Sequence, residues 1–272
     1  MIKIENVDIF GWEAAIRGAR NPMNSWDKSS SRFFDRGYEN EEHPFGINRY
    51  HNILKQSFEI PSEEDEAIEG CLHVIGLSDH NLLMNLCKGG SEESKWRRMV
   101  HVQMDITAPL YWWKEFDTYK VGTVSNSCST MHKIQAKEFT ADDFSFEHII
   151  SFGSELDIDL RDPDISKNYC ALFYKGLDAY MSPEGVTEAI KNMLNRAREL
   201  FLETKDKKYW WQMIQLLPTS YNQRRTIDLN YEVLAKQYRE RKEHKLDEWR
   251  NYCKWIRTLP YSEFITGELE DV

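Results

Sequence analysis

The chain has 272 residues, 41% of them hydrophobic and 29% charged, which is long and apolar enough to bury a full core and excludes a largely disordered polymer. Its 35 basic and 45 acidic residues leave a formal net charge of -10, which opposes attraction to a phosphate backbone or an anionic membrane surface. Neither duplex nucleic acid nor membrane is therefore expected as a partner. Cysteines occur at 71, 87, 128, 170 and 253 without a CxxC pair, and the odd count argues for a reducing, cytoplasmic compartment. The start MIKIENVDIF lacks the charged and long apolar segments of a signal peptide.

Residues 1 to 20 predict a short strand (Ile2, Ile4, Val7, Ile9) and then a helix in GWEAAIRGAR. From 21 to 69 the chain is rich in Ser, Asn, Asp, Glu, Gly and Pro without a sustained period. That predicts a long loop or insertion within a single domain spanning 1 to 272. Ser78 is the expected N-cap of the helix DHNLLMNLCK, which Gly89 and Gly90 terminate.

Val100, Val102, Met104 and Ile106 alternate with polar residues, the period of a half-buried strand. Thr107 is then expected to cap a helix with Pro109 in its first turn and the aromatic run 111 to 116 behind it. Between 134 and 182 the pattern is weak, and LDIDLRDPDIS reads as an acidic loop. Ser182-Pro183-Glu184 begins an amphipathic helix to about Glu203, with Val186, Ile190, Met193, Ala197 and Phe201 on one side. A short helix, YWWQMIQLL, stops at Pro218. Two last helices hold Ile227, Tyr231, Leu234 and Tyr238, then Leu246, Trp249, Tyr252 or Cys253, and Ile256. The fold class expected is α+β, a helix-rich domain with a smaller antiparallel or mixed sheet.

Several chemistries find no motif. There is no HExxH, no paired cysteines and no calcium loop, so no metal site is expected. No GxGxxG or P-loop occurs. Cys128 and His132 lie four apart and would form a nucleophile and base on a helix, though the polar run around them equally suits a turn.

The segment Thr107 to Lys133 resembles the flavin-dependent thymidylate synthases, whose signature is RHR, a short spacer and NExSxR. Here the text is Thr118-Tyr119-Lys120, then VGTVS, then Asn126-Ser127-Cys128-Ser129-Thr130-Met131. Lys120 replaces one arginine, and Asn126 and Ser129 stand where the family has Asn and Ser. A second block is similar: Leu217-Pro218, with Arg224 six residues after the proline, then Asp228 where the family has asparagine and Arg239 eleven residues on. Eleven residues are close to three helical turns, so Asp228 and Arg239 are expected on one helical face. Gly90-Ser91-Glu92 stands where the family has Gly-His-Glu, and Glu248 and Tyr252 echo its last helix.

The resemblance implies an enzyme that carries FAD, uses NADPH and methylenetetrahydrofolate, and methylates a deoxyuridine monophosphate-type nucleotide. It implies a homo-oligomer, a tetramer in the family, with sites between subunits. Carried over residue by residue, Arg224, Asn126 and Ser129 would bind the nucleotide. Arg239 would bind and polarise the pyrimidine as the catalytic group, and Tyr119, Lys120, Ser91, Asp228 and Asn230 would face the FAD. Each residue also has a plainer reading: Arg224 and Arg239 as solvated surface, Asn126 and Ser129 as turn formers, and Trp112, Trp113, Trp210 and Trp211 as core. Thr118, Ser127 and Met131 stand where the family carries charge. Charged hydrogen bonds contribute about 1.5–3 kcal/mol each, so the alternative is a non-catalytic nucleotide- or flavin-binding oligomer that kept the fold.

Overall fold

The computed structural model describes residues 2–33, 73–149 and 183–268. Most of the expected 21 to 69 insertion, the acidic run, Ser182, Cys71 and Cys170 lie outside the described residues. The chain divides into two compact units. Of the described residues, one comprises 108–113, 127–149 and 183–223, and the other 2–33, 73–107, 114–126 and 224–268.

A helix-rich architecture carries a four-stranded antiparallel sheet of strands β1 (Lys3–Phe10), β4 (His101–Pro109), β5 (Val124–Ser127) and β6 (Asn222–Asn230), in the order β1-β4-β6-β5. β2 (Arg32–Phe33) and β3 (His73–Val74) form a separate two-stranded ladder. In β1 the apolar residues change parity between Ile4 and Val7, and the structure shows why. The β1–β4 register shifts between Glu5 and Asp8, with Asn6 at φ 52°, so a bulge keeps both halves of the strand facing the same way. Val102, Met104 and Ile106 of β4 are buried, as their alternation predicts, and Ile227 and Leu229 of β6 are buried with them.

Two expectations are corrected here. Thr107 does not cap a helix: it pairs with Lys3 inside β4, and helix α3 (Leu110–Phe116) begins only after Pro109. A proline biases its predecessor towards extended backbone, so Ala108 prolongs the strand. Likewise Arg224 to Asn230 are strand, not the approach to a helix and its first turns. Ile227, Tyr231, Leu234 and Tyr238 fit a helical spacing only by spanning a junction. Gln223, Ile227 and Leu229 face inward while Arg224 and Thr226 are exposed, the alternation of β6. Helix α6 (Tyr231–Arg241) then starts at Asn230, whose side chain accepts a hydrogen bond from the Val233 N–H. Asp228 and Arg239 therefore do not share a helical face.

The remaining helices of this unit are α1 (Trp12–Arg20), α2 (Leu77–Lys88), α7 (Asp247–Ile256) and α8 (Glu263–Thr266). Gly11 opens α1 at φ 97°, and a Cβ there would lie 2.0 Å from the Met99 carbonyl oxygen, so only glycine fits. Gly76, rather than Ser78, is the N-cap of α2; the Ser78 hydroxyl instead donates to the Lys28 carbonyl.

The other unit pairs α4 (Pro183–Thr204) with α5 (Lys207–Leu216) over a core of Ile134, Phe139, Phe144, Leu194, Ala197 and Met213. The buried stripe of α4 runs through Ile190, Leu194, Ala197 and Phe201; Val186 and Met193, expected inside, are exposed. Trp112 and Trp113 are fully buried, whereas Trp211 is 43% exposed.

Candidate functional site

The strand alternation that buries Val102, Met104 and Ile106 turns Gln103 and Asp105 to the opposite, polar face of the sheet. There Asp105 becomes a hub. One of its oxygens accepts from Asn6 Nδ2 and from an Arg224 guanidinium nitrogen, each at 2.7 Å, and the other accepts from the Thr226 hydroxyl at 2.5 Å. The bonds from Thr226, Arg224 and Asn6 hold its carboxyl down at about 2, so Asp105 stays ionised across the neutral range. Two residues along β6, Asp228 pairs with His101 Nδ1 at 3.1 Å, and the imidazole stacks on Phe10 at 5.5 Å. Arg224 and Asp228 thus stand on one sheet face, each already engaged by β4.

Asp105→Asn is expected to lower stability by about 1–2 kcal/mol at neutral pH. A depressed carboxyl stabilises above its unfolded value and loses that contribution as pH falls through the folded one. The difference between wild type and variant in urea denaturation should therefore vanish between about pH 4 and pH 2. A difference that grew on acidification would contradict this role.

The loop between α3 and β5 packs on α6. The Tyr119 hydroxyl donates to Glu240 at 2.9 Å and accepts from Arg241 Nε at 2.8 Å, and Lys236 lies 5.6 Å from its ring centre. Burial pushes the Tyr119 phenol up, partly opposed by Arg241. Gly122 stands at φ 79°, and a Cβ there would come within 3.0 Å of the Asn230 side-chain nitrogen. The loop thus sets Tyr119 against the C-terminal half of α6 and Gly122 against Asn230 at its start. The side chains of Lys120 and Arg239 are exposed, and neither has a hydrogen-bond or ion-pair partner among the described residues.

The other expected residues stand elsewhere. Ser91 accepts from Arg98 at 2.8 Å in the turn after α2. Asn126 is exposed on β5. Ser129 belongs to the other unit, where its oxygen accepts the Met131 and His132 N–H groups in a tight turn. That turn disposes of the helical spacing proposed for Cys128 and His132, and among the described residues no hydrogen bond joins the two. Asp105 and His101 were not among the expected site residues. Their signal was present in the outward parity of β4, but it acquires partners only once 222–230 is seen as a strand.

A further lock holds α3, α6 and α7 together. Glu115 Oε2 accepts from Trp249 Nε1 at 3.1 Å and pairs with Arg241 at 2.9 Å and His244 at 3.3 Å. Among the described residues no group of His, Cys, Asp and Glu is placed to hold a metal ion, and no helix is long and apolar enough to cross a membrane.

No family model matches this sequence, and no curated protein matches it. Solved structures do match its fold. The thymidylate synthase X of Helicobacter pylori, crystallised with FAD and dUMP, aligns at TM-score 0.54 and 12% identity, covering 100% of both chains. A second structure of the flavin-dependent thymidylate synthase from Helicobacter pylori, also with FAD and dUMP, aligns at TM-score 0.53 and 13% identity, covering 98% of this chain and 100% of that one. At such identity the likeness establishes a shared fold.

Proposed function

We propose that the chain is a divergent flavin-dependent nucleotide enzyme of the thymidylate synthase type, reductively methylating a deoxyuridine monophosphate-type nucleotide. The observation that carries this reading is the end-to-end agreement of fold with proteins crystallised with FAD and dUMP. On this reading Arg224, Asn126 and Ser129 bind the nucleotide, and Arg239 binds and polarises its pyrimidine, by their positions in the resemblance. Tyr119, Lys120, Ser91, Asp228 and Asn230 face the flavin on the same ground.

The residues present suit FAD in part. A dinucleotide needs positive charge for its diphosphate, and Lys120 is an exposed cation with no partner among the described residues. Bound flavin would supply the electron-transfer chemistry, with NADPH as reductant and methylenetetrahydrofolate as one-carbon donor. The chain's own part is to hold the phosphate groups and orient the pyrimidine. Asp105 bears on the first task. Because it stays anionic beside Arg224, a nucleotide phosphate must share or displace that partner, which lowers the affinity Arg224 confers.

A specific observation favours a second reading, a non-catalytic flavin- or nucleotide-binding oligomer. Asn230 caps α6, Ser129 closes a turn, Tyr119 joins Glu240 and Arg241, and Arg224 is paired with Asp105. Four of the proposed ligand residues thus already serve the protein itself. Reconstitution with FAD and titration with dUMP test the two readings together. The enzyme reading expects Arg224→Ala to weaken dUMP binding by about tenfold, since a charged hydrogen bond contributes about 1.5–3 kcal/mol and Asp105 already satisfies part of it. Turnover of dUMP with methylenetetrahydrofolate and NADPH excludes the second reading. Unchanged dUMP affinity in Arg224→Ala removes Arg224 from the site.

A further inference from the structure

Between β5 and α4 the chain from Cys128 to Phe139 forms no regular element, yet side chains pin its backbone at short intervals. Gln223 donates to the Cys128 carbonyl at 2.9 Å, Trp210 to that of Met131 at 3.0 Å and Arg198 to that of Gln135 at 3.0 Å. Asn195 holds both backbone groups of Phe139, at 2.8 and 2.9 Å. An irregular segment fixed in this way from several elements is a rigid platform for side chains.

Side chains of this segment, with Tyr221, line an open cavity of about 220 Å³. Its floor is apolar and aromatic, built by Ile134 and Phe139 from the core and by Tyr221, whose ring meets Phe139 edge-on at 6.3 Å. Its rim is polar: Lys133, Lys137, Ser129 and the exposed thiol of Cys128. Lys137 is neutralised by its ion pair with Asp143, whereas Lys133 has no ion-pair partner among the described residues. The rim therefore carries one uncompensated positive charge. Ser129 adds a donor, since its oxygen accepts two N–H groups and its own hydrogen has no acceptor among the described residues.

We propose that this cavity binds a small aromatic anion, a planar ring bearing one carboxylate, with the ring on Phe139 and Tyr221 and the acid group at Lys133 and Ser129. An apolar floor with a few convergent polar groups is the usual make-up of a small-ligand site. The volume suits one ring with its acid group. The single free charge selects a monoanion over a neutral ring, and the aromatic floor selects a ring over a bare ion. Only Ser129 is shared with the flavin reading; the rest of the lining is separate, and the site stands whether or not that reading does.

Cys128 on the rim supplies the readout. Benzoate should slow alkylation of Cys128 by iodoacetamide, followed by peptide mass spectrometry, while half-buried Cys87 in the same sample keeps its rate. At ten times the benzoate dissociation constant the slowing is about tenfold, because only the empty fraction reacts. Benzamide, the neutral isostere, and inorganic phosphate should protect far less. Lys133→Gln, an exposed substitution, should raise the benzoate concentration for half-protection by about tenfold. Unchanged Cys128 labelling in benzoate overturns the site. So does protection that benzamide or phosphate matches, or that survives Lys133→Gln. Flavin absorbance is not part of this readout, so the two proposals fail separately.

Discussion

Asp79→Ala is expected to destabilise the protein by about 3–5 kcal/mol, enough to abolish folding in a domain of ordinary stability. Asp79 is fully buried at the start of α2, and its partner Arg20 at the end of α1 is 4% exposed. The carboxylate accepts from Arg20 Nε at 2.5 Å, from the backbone N–H groups of Ser30 and Ser31 at 2.9 Å, and from the hydroxyls of Ser29 and Ser31 at 2.8 and 2.5 Å. Arg20 in turn donates to the Ser25 carbonyl and the Ser78 hydroxyl. One carboxylate therefore ties the end of α1 and the serine loop to the start of α2. Alanine would leave a guanidinium buried without its counter-charge and two backbone donors without acceptors, which is the expensive way to break such a pair.

Burial pushes the Asp79 carboxyl up, but Ser31, Arg20, Ser29 and Ser30 together outweigh it and leave the group below its ordinary value of 3.8. Its contribution is thus complete above that value and lost as pH falls through the lower, folded one. Urea denaturation at neutral pH is the check. A loss under 1 kcal/mol would mean that Arg20 finds water or another acceptor. The double change Arg20→Met with Asp79→Leu should recover part of the deficit, because it removes both charges rather than one.

Trp249→Ala carries the second large effect, about 3–5 kcal/mol. Trp249 is fully buried on α7, stacked on Phe116 at 6.3 Å and edge-on to Tyr252 at 5.7 Å, with the Arg241 guanidinium 5.0 Å from its ring centre. Its N–H donates to Glu115, the acceptor that also gathers Arg241 and His244. Alanine opens a cavity and removes the ring under Arg241. Trp249→Phe keeps an aromatic ring and loses the N–H bond, so about 1–2 kcal/mol is expected for it. The two variants should separate clearly in urea midpoint. If phenylalanine were as harmful as alanine, the hydrogen bond to Glu115 rather than packing would dominate.

Much of the fold was legible in the sequence where one period acts alone. Val102, Met104 and Ile106 announce β4, Trp249, Tyr252 and Ile256 announce α7, and Pro218 ends α5. Where two periods overlap, the sequence is ambiguous. Ile227 and Leu229 are two apart as a strand requires, but Ile227 is also four from Tyr231, so the spacing fits a helix running through β6 equally well. A helix there puts Asp228 on a helical face and leaves Asp105 without the partners that Arg224 and Thr226 supply from across the sheet. On α4, Leu194 rather than Met193 is buried, a one-residue difference in phase that composition cannot decide.

Polar networks were the least visible. Nothing in KSSSRF announces that Ser29, Ser30 and Ser31 wrap a carboxylate 48 to 50 residues away, because such contacts exist only after α1 and α2 have been placed. The resemblance at 118–131 and 217–239 anticipated the fold that the solved structures share. It could not anticipate that Asn230, Ser129 and Tyr119 are held by the protein's own backbone and side chains.

The most direct test of the proposed function is the visible spectrum of the purified protein after incubation with FAD and removal of free flavin, recorded before and after dUMP. A flavin-dependent nucleotide enzyme predicts a retained flavin spectrum near one equivalent per chain, perturbed by dUMP in the wild type and less so in Arg224→Ala. Protein that stays colourless after reconstitution, or holds flavin with a spectrum indifferent to dUMP, would contradict it.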